Sequence, residues 1–147
     1  MSSRLLKLGR CGWSDQALLM EALAWLCGAR LLLLLVPFRW LAPRLGQAMS
    51  ESPAQITESE RKLALRVSWA VQAVARNLPL GFVCLSQAIA AKWMLQRRRL
   101  ATTLYLGVAR PEQATLTAHA WLRAGDKILT GREASLQHTT IAWFGGK

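Results

Sequence analysis

Apolar positions recur with a helical rhythm over the first two-thirds of the chain and with a strand rhythm over the last third. From Ala17 to Val36 nearly every residue is apolar; Glu21, Gly28 and Arg30 interrupt the run and Pro37 ends it. Ser14 and Asp15 offer caps for a helix opening there. About 20 apolar residues are enough to span a bilayer, but a central arginine opposes insertion by about 2.5–3.5 kcal/mol. The pattern therefore predicts two packed helices, or a hairpin lying on a membrane surface, rather than a span. Phe38, Arg39, Trp40 and Leu41 begin a short amphipathic piece. The polar stretch from Gln47 to Thr57 reads as a loop and as the best internal boundary, separating an N-terminal helical region, 1–47, from a core, 48–147.

Thr57 followed by Glu60 fits a capping box. The helix it opens runs through Leu63, Leu65, Val67, Trp69, Val71 and Val74, with Arg61, Lys62, Arg66 and Arg76 on the wetter side. Asn77, Leu78, Pro79, Leu80 and Gly81 stop it. A second helix opens near Cys84 and continues to the Arg97–Arg99 run, a basic tail that suits a helix C-terminus. After this the period changes. Residues 101–109 and 116–124 read as strands, Gly125-Asp126 as a two-residue hairpin turn, 127–130 as its returning strand and 139–144 as a last strand. Helices first and an antiparallel sheet afterwards define an α+β domain.

Charge narrows the partners. Nineteen basic residues against eight acidic give a formal charge of +11, carried mainly by both ends of the chain. That balance suits an acidic peptide or protein, or an anionic membrane surface. It argues less well for nucleic acid, because only Arg97, Arg98 and Arg99 cluster and no aromatic platform alternates with them. Cys11, Cys27 and Cys84 have irregular spacing, and with two histidines they make no convincing zinc set. The odd thiol count and the lack of a cleavable signal pattern predict a cytoplasmic protein; the apolar run 17–38 leaves peripheral membrane contact open. No Gly-rich phosphate loop is present, so no cofactor is expected from a motif.

Cys84 is the thiol placed for chemistry. It heads a helix, where the dipole favours a thiolate and free backbone N–H groups can receive an oxyanion. A cysteine nucleophile also needs a histidine within hydrogen-bond reach, and His119 lies on a strand able to pack against that helix. Trp121 and Arg123 share its strand face by alternation; Trp121 can shield the imidazole or simply fill the core. Gln87, one helical turn after Cys84, can line the cleft. His138 reads as a surface residue near the last turn.

Residues 79–97 (PLGFVCLSQAIAAKWMLQR), 104–108 (LYLGV), 118–130 (AHAWLRAGDKILT) and 30–39 (RLLLLLVPFR) together resemble the leader peptidases of lasso-peptide biosynthesis. The resemblance implies a transglutaminase-like, papain-related fold with Cys84 as nucleophile and His119 as general base and acid. It further implies attack on a peptide carbonyl at the leader–core junction of a ribosomally made precursor, through an acyl-enzyme that water releases. The implied partners are the precursor's leader, a separate leader-recognition protein and the lasso cyclase; nucleotide dependence of that maturation complex is left open.

The family usually carries an Asp about a dozen residues after the histidine, where this chain reads Thr130, Gly131, Arg132, Glu133. Asp126 is the nearest acid in sequence, but seven residues of extended strand span about 23 Å. If Ala124 pairs with Lys127, Arg132 falls opposite His119 and Thr130 is a diagonal neighbour. Glu133 or Thr130 as substitute, Asp126 in a differently shaped hairpin, or a backbone carbonyl all remain candidates to orient the imidazole. The departure at this position also admits a catalytically silent scaffold of the same fold, binding the precursor or cyclase.

Overall fold

The computed structural model describes residues 13–77, 84–109, 117–131 and 138–145. Its elements are α1 (Trp13–Leu35), α2 (Phe38–Leu41), a 3-10 turn (Ala42–Leu45), β1 (Gln47–Ala48), α3 (Glu58–Asn77), α4 (Cys84–Arg97), β2 (Thr103–Ala109), β3 (Thr117–Ala124), β4 (Lys127–Thr130) and β5 (Thr139–Gly145). The strands form one antiparallel sheet in the order β1-β5-β2-β3-β4, which makes the chain α+β.

Three helices and the sheet share one core. In α3 the buried positions Ala64, Val67, Ser68, Val71 and Val74 fall three or four apart and form one stripe, while Leu65 and Trp69 stay exposed. Thr57 Oγ1 accepts from the Glu60 N–H at 3.2 Å, the capping contact that the sequence predicts. Helix α4 is buried almost all round, through Ala88, Ile89, Ala90, Ala91, Lys92, Met94 and Leu95. It packs against α1, α3 and the sheet at once, and its alanines let those neighbours come close. The sheet turns Leu104, Ala120, Leu122 and Leu129 toward this core. At the edge of the sheet, the Leu129 carbonyl accepts from Ser68 Oγ and from Gln72 Nε2, so α3 closes the open side of β4.

Two sequence expectations change. The run from Ala17 to Leu35 lies in one continuous helix rather than two, passing through Gly28 without a break, and Val36 follows its end. Leu18, Leu19, Ala22, Leu26 and Ala29 bury that helix in the core it shares with α3, α4 and the sheet. Ion pairs from Asp15 to Arg66 at 2.6 Å, and from Glu21 to Arg97 at 2.7 Å and Arg98 at 2.5 Å, tie it down. The hydrogen bond from Arg98 holds the Glu21 carboxyl below its ordinary range. The 47–57 stretch is also more than a loop. Gln47 and Ala48 pair with Gly145 and Phe144, and both the N–H and the hydroxyl of Ser52 lie 2.8 Å from Thr103 Oγ1.

Lys92 gives the core a measurable pH signature. It is 4% exposed, and its ammonium donates to the Thr102 carbonyl at 2.7 Å and to Thr102 Oγ1 at 3.2 Å. Burial lowers its pKa from 10.5 to about 8, since desolvation disfavours the charged form. The unfolded chain therefore holds this proton more tightly than the folded one. Below pH 8 the charged lysine opposes folding, and the penalty is relieved as pH rises from about 8 to 10.5. Urea denaturation of the wild type should show stability climbing across that window by up to about 3 kcal/mol more than in Lys92→Met. Parallel pH curves for the two proteins would contradict this account.

Candidate active site

Strand alternation and register place His119. On β3, Ala118, Ala120 and Leu122 alternate with His119, Trp121 and Arg123, and the second set pairs with Gly107, Tyr105 and Thr103 of β2. His119 therefore belongs to the sheet face turned away from the helices, where it is solvent-exposed. Cys84, the first residue of α4 and half-buried, reaches it at the strand's edge. Its Sγ lies 3.4 Å from His119 Nδ1 and accepts from the Ala120 N–H, also at 3.4 Å. Backbone N–H groups point sideways from a strand, so that second contact fixes the direction of approach. It is available because the ladder between β3 and β4 reaches only as far as Leu122–Thr130. Past Thr130 the chain turns at Gly131, whose φ is 70° and whose Cα leaves no room for a side chain: a Cβ there would stand 2.6 Å from the Ala120 carbonyl.

The predicted pair is thus brought together, 35 residues apart in sequence. The other candidates divide. Trp121 is 4% exposed and lies nearly parallel to Tyr105, with ring centroids 5.9 Å apart. Its indole fills the space over Gly107, where a Cβ would come within 2.6 Å of Cζ3. That makes it a wall beside His119 rather than an open contact surface, with Gly107 keeping the wall's place vacant of a side chain. Arg123 is committed to structure: it donates to Tyr105 Oη at 3.0 Å, to the Ser52 carbonyl at 2.9 Å and to the Gly125 carbonyl. Tyr105 Oη in turn donates to Glu51 Oε1 at 2.9 Å, and burial raises the phenol above its ordinary range. Gln87 is half-buried in the first turn of α4.

Asp126 is corrected away from the site. Ala124 pairs with Lys127, so Gly125-Asp126 is the hairpin tip and Asp126 is exposed there, seven positions along the strand from His119. Thr130 also fails as a neighbour. A register slip between Leu122 and Arg123 sets it opposite Leu122, on the core side, with its buried Oγ1 unbonded among the described residues. The same slip breaks the count that put Arg132 across from His119. Arg132 and Glu133 lie outside the described residues, as does Cys11. Cys27 is a free thiol packed against the core.

Sequence reasoning missed one side chain. The His138 ring stands edge-on to His119, with centroids 4.6 Å apart and planes at 69°. It stands just before β5, a strand that lies across β2 from β3, and its own neighbourhood in the sequence carries no signal for such a contact. Among the described residues no group of three or more His, Cys, Asp and Glu side chains could hold a metal ion.

A thiol at a helix N-terminus, beside an imidazole on an antiparallel sheet, is a constellation for acyl transfer. The family model described as the transglutaminase-like superfamily matches residues 32–143. The chain belongs to the transglutaminase-like superfamily. No curated protein and no solved structure matches it. That superfamily includes cysteine peptidases, and in this chain the cysteine helix precedes the histidine strand. The match runs from the end of α1 into β5.

Proposed function

We propose that this transglutaminase-like protein is a cysteine peptidase that removes the leader from a ribosomally made lasso-peptide precursor. The observation that carries the chemistry is the 3.4 Å approach of Cys84 Sγ to His119 Nδ1 at the head of α4. His119 takes the thiol proton as Sγ attacks the last carbonyl of the leader. In the first turn of α4 the N–H groups have no carbonyl four residues earlier within the helix, and there they favour the developing oxyanion. Collapse of the tetrahedral intermediate breaks the C–N bond, and His119 returns the proton to the departing amine of the core peptide. Water, deprotonated by the same imidazole, then attacks the thioester, releasing the leader acid and restoring the thiol. The substrate class rests on the resemblance of the segments around Cys84, Gly107 and His119 to lasso leader peptidases. A separate leader-recognition protein and the cyclase are the expected partners, and the cytoplasm the expected compartment.

The test is the mass of the products after mixing the full chain with a co-encoded precursor and recognition protein. A leader fragment and a core fragment whose masses sum to the precursor plus one water support the proposal. An intact precursor, or fragments that also form without the chain, overturn it.

A second reading has its own observation. Among the described residues no carboxylate is hydrogen-bonded to His119. A silent scaffold that binds the precursor or cyclase without cleaving would retain this geometry, and the same experiment separates the two.

A further inference from the structure

The end of α1 is built unlike the rest of that helix. Up to Ala29 it buries one stripe in the core; beyond Ala29 none of its residues is fully buried. Leu31, Leu34 and Leu35 are 55%, 73% and 75% exposed, and Leu32, Leu33 and Val36 remain partly so. Leu32 and Leu33 pack against the core while Leu31, Leu34 and Leu35 face outward, and no polar residue interrupts 31–36. Pro37 ends it, and Trp40 of α2 follows, 67% exposed. Beside them opens a groove of about 730 Å³, shared with Trp25, Trp93 and the C-terminal end of α4.

Charge says what this surface meets. Residues 30–45 contain three arginines, Arg30, Arg39 and Arg44, and no acid. All three are exposed and make no ion pair among the described residues. Exposed leucines bounded by arginines, with a tryptophan beside them, are the arrangement that inserts at the headgroup level of an anionic membrane. The buried stripe and the three ion pairs hold the remainder of α1 in the core, which fits a surface contact rather than a span.

We infer that the protein docks on an anionic bilayer surface through the Leu31–Leu35 end of α1 and Trp40, with Arg30, Arg39 and Arg44 on the lipid phosphates. The groove beside the patch takes its α4 residues, Trp93, Gln96 and Arg97, from the last turns of that helix, whereas Cys84 is its first residue.

The test is flotation of the full chain, without detergent, with vesicles of phosphatidylcholine alone or mixed with phosphatidylglycerol. Binding to the mixed vesicles should exceed binding to the neutral ones. Arg39→Gln with Arg44→Gln should lower the partition onto mixed vesicles by about thirtyfold, at the usual attraction per basic residue. Leu34→Ser with Leu35→Ser should lower it by about tenfold or more on both. These four side chains lie outside the core, and unchanged circular dichroism checks that the variants fold. Absence of wild-type binding, or equal binding by wild type and the leucine variant, overturns the inference. So does a soluble acidic protein whose binding the leucine variant abolishes while vesicles are ignored.

Discussion

Replacement of Cys84 by alanine should lower kcat/KM for leader removal by a factor of about 10³ or more, with the fold intact. Every bond change in the proposed reaction passes through Sγ, and no other described thiol is near His119. Cys27, the other free cysteine among the described residues, sits in α1 against the core. The loss should fall on kcat, since the sulfur contributes little area to peptide binding. Alanine removes a half-buried sulfur whose contacts, to Nδ1 and to the Ala120 N–H, are both at 3.4 Å. Its structural cost should therefore be at most about 1 kcal/mol, readable as a small change in Tm. Serine keeps the shape but offers a far weaker nucleophile, and should be nearly as inactive as alanine. The decisive measurement is precursor processing by equal amounts of wild type and Cys84→Ala. Equal rates would remove the peptidase and leave the scaffold.

The residues around Cys84 and His119 were legible because their signals are local. The break before Cys84, the capping contact at Thr57 and the alternation of β3 each need only a few neighbours in sequence. The hairpin at Gly125-Asp126 was legible for the same reason: a glycine with φ of 58° and an exposed acid form a two-residue turn. What escaped is set by tertiary contact. The two-residue strand β1 has too little length for a pattern and exists because β5 offers it a partner. Gly28 interrupts the apolar run in the sequence, yet α1 continues through it, with its buried stripe packed on α3 and α4. The slip between Leu122 and Arg123 shifts every pairing beyond it, and one residue of shift decides which side chain can stand across from His119. His138 escaped most completely, because its meeting with His119 depends on the order β5-β2-β3, which no single segment encodes.

The pair should also behave as one unit. His119→Ala alone should lower kcat by about 10³, and the double variant with Cys84→Ala should be no worse than the poorer single variant. The physical reason is that a thiol without its base, and a base without its thiol, both leave only the residual binding and oxyanion contributions. If Cys84 and His119 acted in separate steps on separate groups, their losses would multiply instead. His138 supplies the internal control. Its ring packs against that of His119 and reaches no reacting atom in the proposed scheme, so it is a positioning residue. His138→Ala should cost about tenfold in kcat with KM nearly unchanged, and His138→Phe, which keeps an aromatic ring against His119, should recover most of that loss. The cycle is read from initial rates on one precursor, with circular dichroism to show that each variant folds. Multiplicative losses for Cys84 and His119 would break the pair apart. Near-normal turnover in His119→Ala would show that the 3.4 Å contact is architecture rather than chemistry.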